Sequence, residues 1–254
     1  MGETEGQLQS IYATIGGLAC HARVSLAPAR PDLAPVVLVH GLSVSSRYMV
    51  PTAKRLAPYR RVFAPDLPGF GKSAHPQRIL GISELADALI AWTDYFGLGR
   101  MVLLGNSLGC QIIADVALRW PARVERIILV GPTVDWRARS LLAQAGRLAV
   151  DVAREPISSI LTQGRDYWAS GLRRTVGTMR LALDDRIEQK LPHVNTPTLI
   201  VRGEEDPIAP QRWCEELARR APHGRLAVIP RAPHAANYDA PGALARLTLD
   251  FLDD

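Results

Sequence analysis

The stretch MVLLGNSLGCQII, residues 101–113, constrains the fold more than any other part of the chain. Residues 101–104 are a short continuous apolar run, the mark of a strand covered on both faces. Ile112, Ile113, Val116, Ala117 and Trp120 then recur at helical spacing until Pro121. Only GNSLG separates the two elements, so the backbone must reverse sharply at Ser107. A strand buried on both faces also needs helices above and below it.

The rest of the chain supplies them. LQSIYATI and ACHARVSL read as two alternating strands joined at Gly16-Gly17, a hairpin signal, with Pro28, Pro31 and Pro35 marking a loop behind them. VVLVH, RVFAPD, VERIILVG, residues 198–202 and RLAVI read as further strands. Helical patterns cover residues 46–57, 82–96, 210–220 and 241–252, the second capped by Ser83 and stopped by Gly97. Strands alternating with helices imply right-handed crossovers. The expected fold is α/β, a mostly parallel sheet of about eight strands with helices on both faces. Residues 133–194 break the rhythm, carrying helical stretches and no strand pattern over a length too great for a plain loop. They read as a helical lid inserted into one core formed by residues 1–132 and 195–254. Its expected apolar faces are Leu141, Leu142, Leu148 and Val152, then Ile157, Ile160 and Leu161.

Composition excludes several classes of function. The net charge of +5 is carried almost wholly by arginine, since Lys54, Lys72 and Lys190 are the only lysines. The arginines are dispersed and no basic patch interleaves with aromatics, which argues against a nucleic-acid partner. No apolar run reaches the roughly 18 residues of a membrane span, and the first ten residues are acidic where a signal peptide would be basic and then apolar. Cys20, Cys110 and Cys214 are odd in number and scattered, as suits reduced thiols in a cytoplasmic protein. No cluster of His, Cys, Asp and Glu stands at ligand spacing, so neither metal nor cofactor is expected. Oligomeric state is left open.

GNSLG has the G-x-S-x-G form of a nucleophile elbow. A tight strand-to-helix turn strains the serine backbone at a cost of about 1–3 kcal/mol. In return the hydroxyl stands above the sheet, and the helix start at Leu108 offers free N–H groups to a developing oxyanion. A serine hydroxyl needs a base. Among six histidines, His234 is best placed, in the loop IPRAPHAANYDAP between the last strand and last helix. His40 reads as a structural brace, and His21, His75, His193 and His223 as surface or loop residues. The acid that orients His234 is best sought in GEEDPIAP, at Asp206, with Glu204, Glu205 and Asp135 as alternatives. GFGKS invites a phosphate-loop reading, but that loop needs glycine at position 66, where Asp66 stands. Trp136 and Trp168 are candidate pocket residues, and the arginines of 133–194 read as a solvated face.

Four motifs coincide in order: HGLSVSS, DLPGFGKS, GNSLG, and GEEDPIAP with APHAANY. Together they resemble the α/β-hydrolase superfamily, over most of the chain. The resemblance implies that Ser107 is the nucleophile, His234 the general base and Asp206 the orienting acid. It implies backbone N–H donors at Leu42 and Leu108 for the oxyanion, and a serine hydrolase acting through an acyl-enzyme on a small carboxylic ester or lactone. GNSLG is also similar to the elbow of hydrolases that cleave a carbon–carbon bond in ring-fission products. There a tryptophan closely follows the histidine, whereas Ala235, Ala236 and Asn237 stand here. A non-catalytic ligand receptor on the same fold is the third reading.

Overall fold

The computed structural model describes residues 6–26 and 32–254, so the proline signals at Pro28 and Pro31 lie outside the described residues. Eight strands form one sheet: β1 (Leu8–Ile15), β2 (Leu18–Ser25), β3 (Val36–Val39), β4 (Val62–Pro65), β5 (Met101–Asn106), β6 (Val124–Val130), β7 (Thr198–Gly203) and β8 (Gly224–Ile229). Their spatial order is β1-β2-β4-β3-β5-β6-β7-β8. β2 is antiparallel to both β1 and β4, and every pair from β4 to β8 is parallel. The hairpin turns at Gly16-Gly17 with Ile15 opposite Leu18. The α/β expectation therefore holds, with the antiparallel hairpin at one edge.

Helices cover both faces because successive residues of the central strands are apolar in both directions. Val37, Val39, Met101 and Leu103 pack with α2 (Ile82–Tyr95), α3 (Leu108–Arg119) and α8 (Gln211–Arg220). Val36, Leu38, Val102 and Leu104 pack on the other face with α1 (Ser46–Leu56) and α10 (Pro241–Asp253). Each buried Leu or Val side chain contributes on the order of 2 kcal/mol. The start of α2 differs from expectation. Gly81 is its N-cap, its N–H donated to Glu84 Oε2 at 2.9 Å, and Ser83 lies inside the first turn.

Between β6 and β7 lie α4 (Leu141–Val152), α5 (Ile157–Ser170), α6 (Leu172–Asp184) and the short α7 (Ile187–Lys190). Ser140 caps α4 by accepting the Ala143 N–H at 3.2 Å. Leu141 and Leu148 face inward, but Leu142, Val152, Ile157, Ile160 and Leu161 are solvent-exposed, contrary to the packed faces expected of them. The inward stripe of α4 is Leu141, Gln144, Ala145, Leu148 and Asp151, a helical repeat that includes two polar residues. α7 instead packs beneath α3, with Ile187 in the core.

Candidate active site

Ser107, Asp206 and His234 follow β5, β7 and β8, all at the carboxyl end of the parallel strands. Open α/β sheets place ligand sites there, because loops from neighbouring strands converge above that edge. Ser107 is the N-cap of α3, with φ 55° and ψ −117°, far from the region that L-residues favour. The sharpness of the turn has a steric basis. A Cβ on Gly105 would come within 2.6 Å of the Gly109 backbone, and one on Gly109 within 2.3 Å of the Val39 carbonyl oxygen. Only glycine lets β3, β5 and α3 approach this closely. Leu108 is the first residue of α3, so no preceding helical turn accepts its N–H.

The other two side chains are joined. His234 Nδ1 donates to Asp206 Oδ2 at 2.8 Å, and Asp206 Oδ1 accepts the N–H groups of Ile208 and Ala209 at 2.8 and 2.9 Å. Both residues are buried, and His234 Nε2 has no hydrogen-bond partner. The alternative acids are occupied or distant from such a role. Asp135 is paired with Arg147 and Arg212, while Glu204 and Glu205 are exposed. Burial alone would lower the His234 pKa. The carboxylates of Asp206, Asp151 and Glu155 outweigh it and raise it to about 9.

A cavity of about 260 Å³ opens beside these residues, lined by Ser107 and His234 together with Gly41, Leu42 and Leu108. Gly41 passes Ser107 so closely that a Cβ there would lie 3.2 Å from the Ser107 Cβ. The strand-end loop carrying Gly41 and Leu42 is braced by His40. His40 Nε2 accepts the Leu67 N–H at 3.0 Å, so its proton sits on Nδ1 and is donated to the Gly41 carbonyl at 2.8 Å. Burial lowers the His40 pKa, which keeps this brace neutral. The remaining wall is mostly apolar, from Val44, Val134, Leu141, Leu148, Val176, Met179 and Ile208.

A family model described as the alpha/beta hydrolase family matches residues 36–247, most of the chain. The chain belongs to that family. A 2-hydroxy-6-oxo-2,4-heptadienoate hydrolase of Pseudomonas putida is 27% identical over 86% of this hydrolase and 88% of that protein. An abhydrolase domain-containing protein, abhd-5.2 of Caenorhabditis elegans, is 37% identical, but the match covers 39% of this chain. This hydrolase spans about a quarter of that relative, 23%. Among solved structures, a thermophilic esterase from Thermogutta terrifontis superimposes with a TM-score of 0.79 at 22% identity, over 96% of this chain and 98% of that one. At that identity the likeness speaks for the fold.

Several features of the hydrolase depart from the residues singled out in the sequence. Trp136 and Trp168 do not line the cavity. Trp136 is 45% exposed and donates its indole N–H to Glu216 at 3.0 Å, and Trp168 is 90% exposed. The adjacent Tyr167 takes the inward position on α5, and one residue further the helix has turned by 100° toward solvent. His21 is not a surface residue, being buried on β2 with Nδ1 2.7 Å from Asp66 Oδ2. His75, His193 and His223 are exposed. Gly131, absent from the candidates, sits at φ 55° after β6. A Cβ there would fall 2.8 Å from His234 Nδ1 and 3.0 Å from Asp206 Oδ2. A glycine directly after a central strand was its available signal.

Asn106 and Asp151 were also missed. Asn106 Nδ2 donates to the His234 carbonyl at 3.3 Å, and Asp151 accepts the His234 main-chain N–H at 3.0 Å. Asp151 is accompanied by Glu155 and Asp239. Burial, with mutual repulsion added, pushes the carboxyls of Glu155 and Asp239 up to about 7, and burial raises Asp151 as well. Among the described residues no group of His, Cys, Asp and Glu is arranged to hold a metal ion, and no helix is long and apolar enough to cross a membrane.

Proposed function

We propose that this hydrolase cleaves a small, uncharged carboxylic ester or lactone through an acyl-enzyme on Ser107. One observation carries the reading: a serine held at positive φ on a helix N-terminus shares a cavity with a buried, oriented histidine. Ser107 Oγ attacks the acyl carbonyl carbon while its proton passes to His234 Nε2. The oxyanion is received by the N–H groups of Leu42 and Leu108, and Asp206 stabilises the imidazolium. Collapse breaks the acyl–oxygen bond, and the leaving alkoxide takes the proton from His234. Water, deprotonated by the same nitrogen, then attacks the acyl-serine and releases the acid. Residues 133–194 act as a lid over the core of 1–132 and 195–254, with α4 and α6 excluding bulk water from the cavity.

The substrate class follows from charge and size. Among the described residues no Lys or Arg side chain belongs to the cavity lining, and its ionisable acid and base are Asp151 and His234. A vinylogous diketo acid, the substrate type of the carbon–carbon cleavage reading, would bring a carboxylate against Asp151 without a Lys or Arg to receive it. The volume of about 260 Å³ lies below the roughly 300–1,000 Å³ of typical ligand pockets, which favours short acyl groups. The test is hydrolysis of p-nitrophenyl esters from acetate to decanoate, by wild type and Ser107→Ala. Turnover highest at the short end and abolished in the variant is expected. Equal turnover by both proteins, or decay of a vinylogous diketo acid with no ester cleavage, removes the reading.

A further inference from the structure

Three contacts hold His234, and only one of them is to its ring partner Asp206. Its carbonyl accepts from Asn106, the residue before Ser107, and its main-chain N–H is taken by Asp151. Asp151 is 1% exposed and lies on the inward stripe of α4, in the wall of the same cavity. A buried N–H left without an acceptor is costly, because it has given up its water. A neutral carbonyl would remove that cost equally well. A carboxylate in its place adds a negative charge beside the imidazole, at the expense of burying an anion on a helix that the sheet core does not require.

We propose that Asp151 is a positioning residue for His234, fixing its loop through the main chain and strengthening the imidazole as a base through its charge. This rests on the acyl-enzyme reading, and it makes the seating of α4 a condition for proton transfer. The charged and titratable neighbours are consistent with such a role. Facing His234 are Asp206 from the loop after β7, Asp151 from α4 and Glu155 from the α4–α5 connection. Asp239 of α9 (Ala236–Asp239) acts on Asp151 and Glu155 from the other side. Glu155 is held by Gln163 and Ser159, and the phenols of Tyr48 and Tyr167 are pushed up and stay neutral. Arg154, the cation nearest in sequence, is turned away to the Glu205 carbonyl at 2.6 Å. Asp151 is the acid among these that touches the His234 backbone.

The experiment compares wild type, Asp151→Asn and Asp151→Ala between pH 6 and 10 on the best p-nitrophenyl ester. Asparagine keeps an oxygen for the His234 N–H and loses the charge. Its ascending limb of kcat/KM is expected to move about one pH unit toward acid, with the plateau kept within about threefold. Alanine loses the acceptor too, and its plateau is expected to fall about tenfold or more. A limb in Asp151→Asn that coincides with wild type, or a full plateau in Asp151→Ala, overturns the proposal. If the alanine variant does not fold, the asparagine variant decides alone. NMR titration of the His234 imidazole, which needs no substrate, separates this proposal from the ester reading. A protein that cleaves no ester but whose His234 titrates at lower pH in Asp151→Asn upholds Asp151 and defeats only the substrate class.

Discussion

His21 and His234 each hold a buried aspartate through Nδ1, at 2.7 Å to Asp66 and 2.8 Å to Asp206. At His21 the chain even continues to a serine, with Nε2 3.0 Å from Ser10 Oγ. On hydrogen bonds alone, Ser10–His21–Asp66 is the more complete of the two triads. The surroundings separate them. Ser10 lies exposed within β1, in an ordinary extended strand at the edge of the sheet, and starts no helix. Ser107 is at positive φ as the N-cap of α3. The ring nitrogen of His234 that would take a proton is unpartnered, and the adjoining cavity is mostly apolar. The cavity beside His21, about 210 Å³, is lined by the charged side chains of Arg23, Arg47, Lys72 and Arg165 with Asp66 and Asp166. Asp66 is also saturated, accepting the N–H groups of Ser46 and Lys72 at 2.6 and 2.8 Å besides His21. Its web ties β2, α1 and the loop after β4 together. A paired histidine therefore becomes a candidate base through an unspent nitrogen, a strained serine and space for a substrate. The pair itself is common to both regions.

Exchanging the serines tests this most severely. Ser107→Ala is expected to lower kcat on the ester by about 10⁴–10⁶, with an unchanged melting temperature. Comparable turnover in the variant would mean that the strained turn does not carry the chemistry. The aspartates come next and should split stability from rate. Asp206→Asn is expected to cost about 10⁴ in kcat, since the imidazole would lose its orienting charge and its correct tautomer. Asp66→Asn is expected to leave kcat within about threefold below its melting point while costing about 2–4 kcal/mol of stability. The reverse pattern, a stable but inactive Asp66 variant, would make the edge pair functional.

The pH dependence of stability sharpens the contrast, because the two regions act at opposite ends of the scale. At Asp66, burial would raise the pKa, but the hydrogen bonds from His21, Lys72 and Ser46 bring it to about 2. A depressed carboxyl stabilises the fold above its unfolded pKa. That contribution, about 2 kcal/mol, is lost as pH falls from about 4 through 2. His234 is raised to about 9, so its contribution, about 3 kcal/mol, is complete below about 6.5 and lost as pH rises through 9. Melting curves should show Asp66→Asn flattening the acid limb and His234→Gln the alkaline one. Identical pH profiles in all three proteins would remove both assignments.

The sheet was legible because its central strands are short apolar runs and its edge hairpin alternates, each punctuated by turn residues, a local signal. The candidates Ser107, His234 and Asp206 were legible for a related reason, as each follows a strand in a loop marked by Gly or Pro. His21 was not. Its place on a strand of alternating pattern reads as half-solvated, and the residues that bury it, Asp66 and the start of α1, come more than twenty positions later. Trp136 and Trp168 stand in the inserted segment, and position in sequence says nothing of side-chain direction; Tyr167, next to Trp168, faces the cavity. Asp151 was hidden differently. It continues the repeat of Leu141, Gln144 and Leu148, and a charge on an inward stripe was a readable anomaly that the choice of apolar neighbours passed over.

The smallest expected effect is at Ser10. The Ser10 hydroxyl bonds Nε2 of the buried His21, and removing it leaves His21 held by Asp66 and the rest of the Asp66 web intact. One neutral hydrogen bond is worth about 1 kcal/mol net. Ser10→Ala should therefore shift the melting temperature by a few degrees at most and leave ester turnover within about twofold. A fluorophosphonate probe gives the sharper reading. Labelling should vanish in Ser107→Ala, whose Ser10–His21–Asp66 chain is complete. Residual labelling that disappears only when Ser10 is also replaced would mean that a hydrogen-bonded histidine suffices without the strained turn. The distinction between the two regions would then fall.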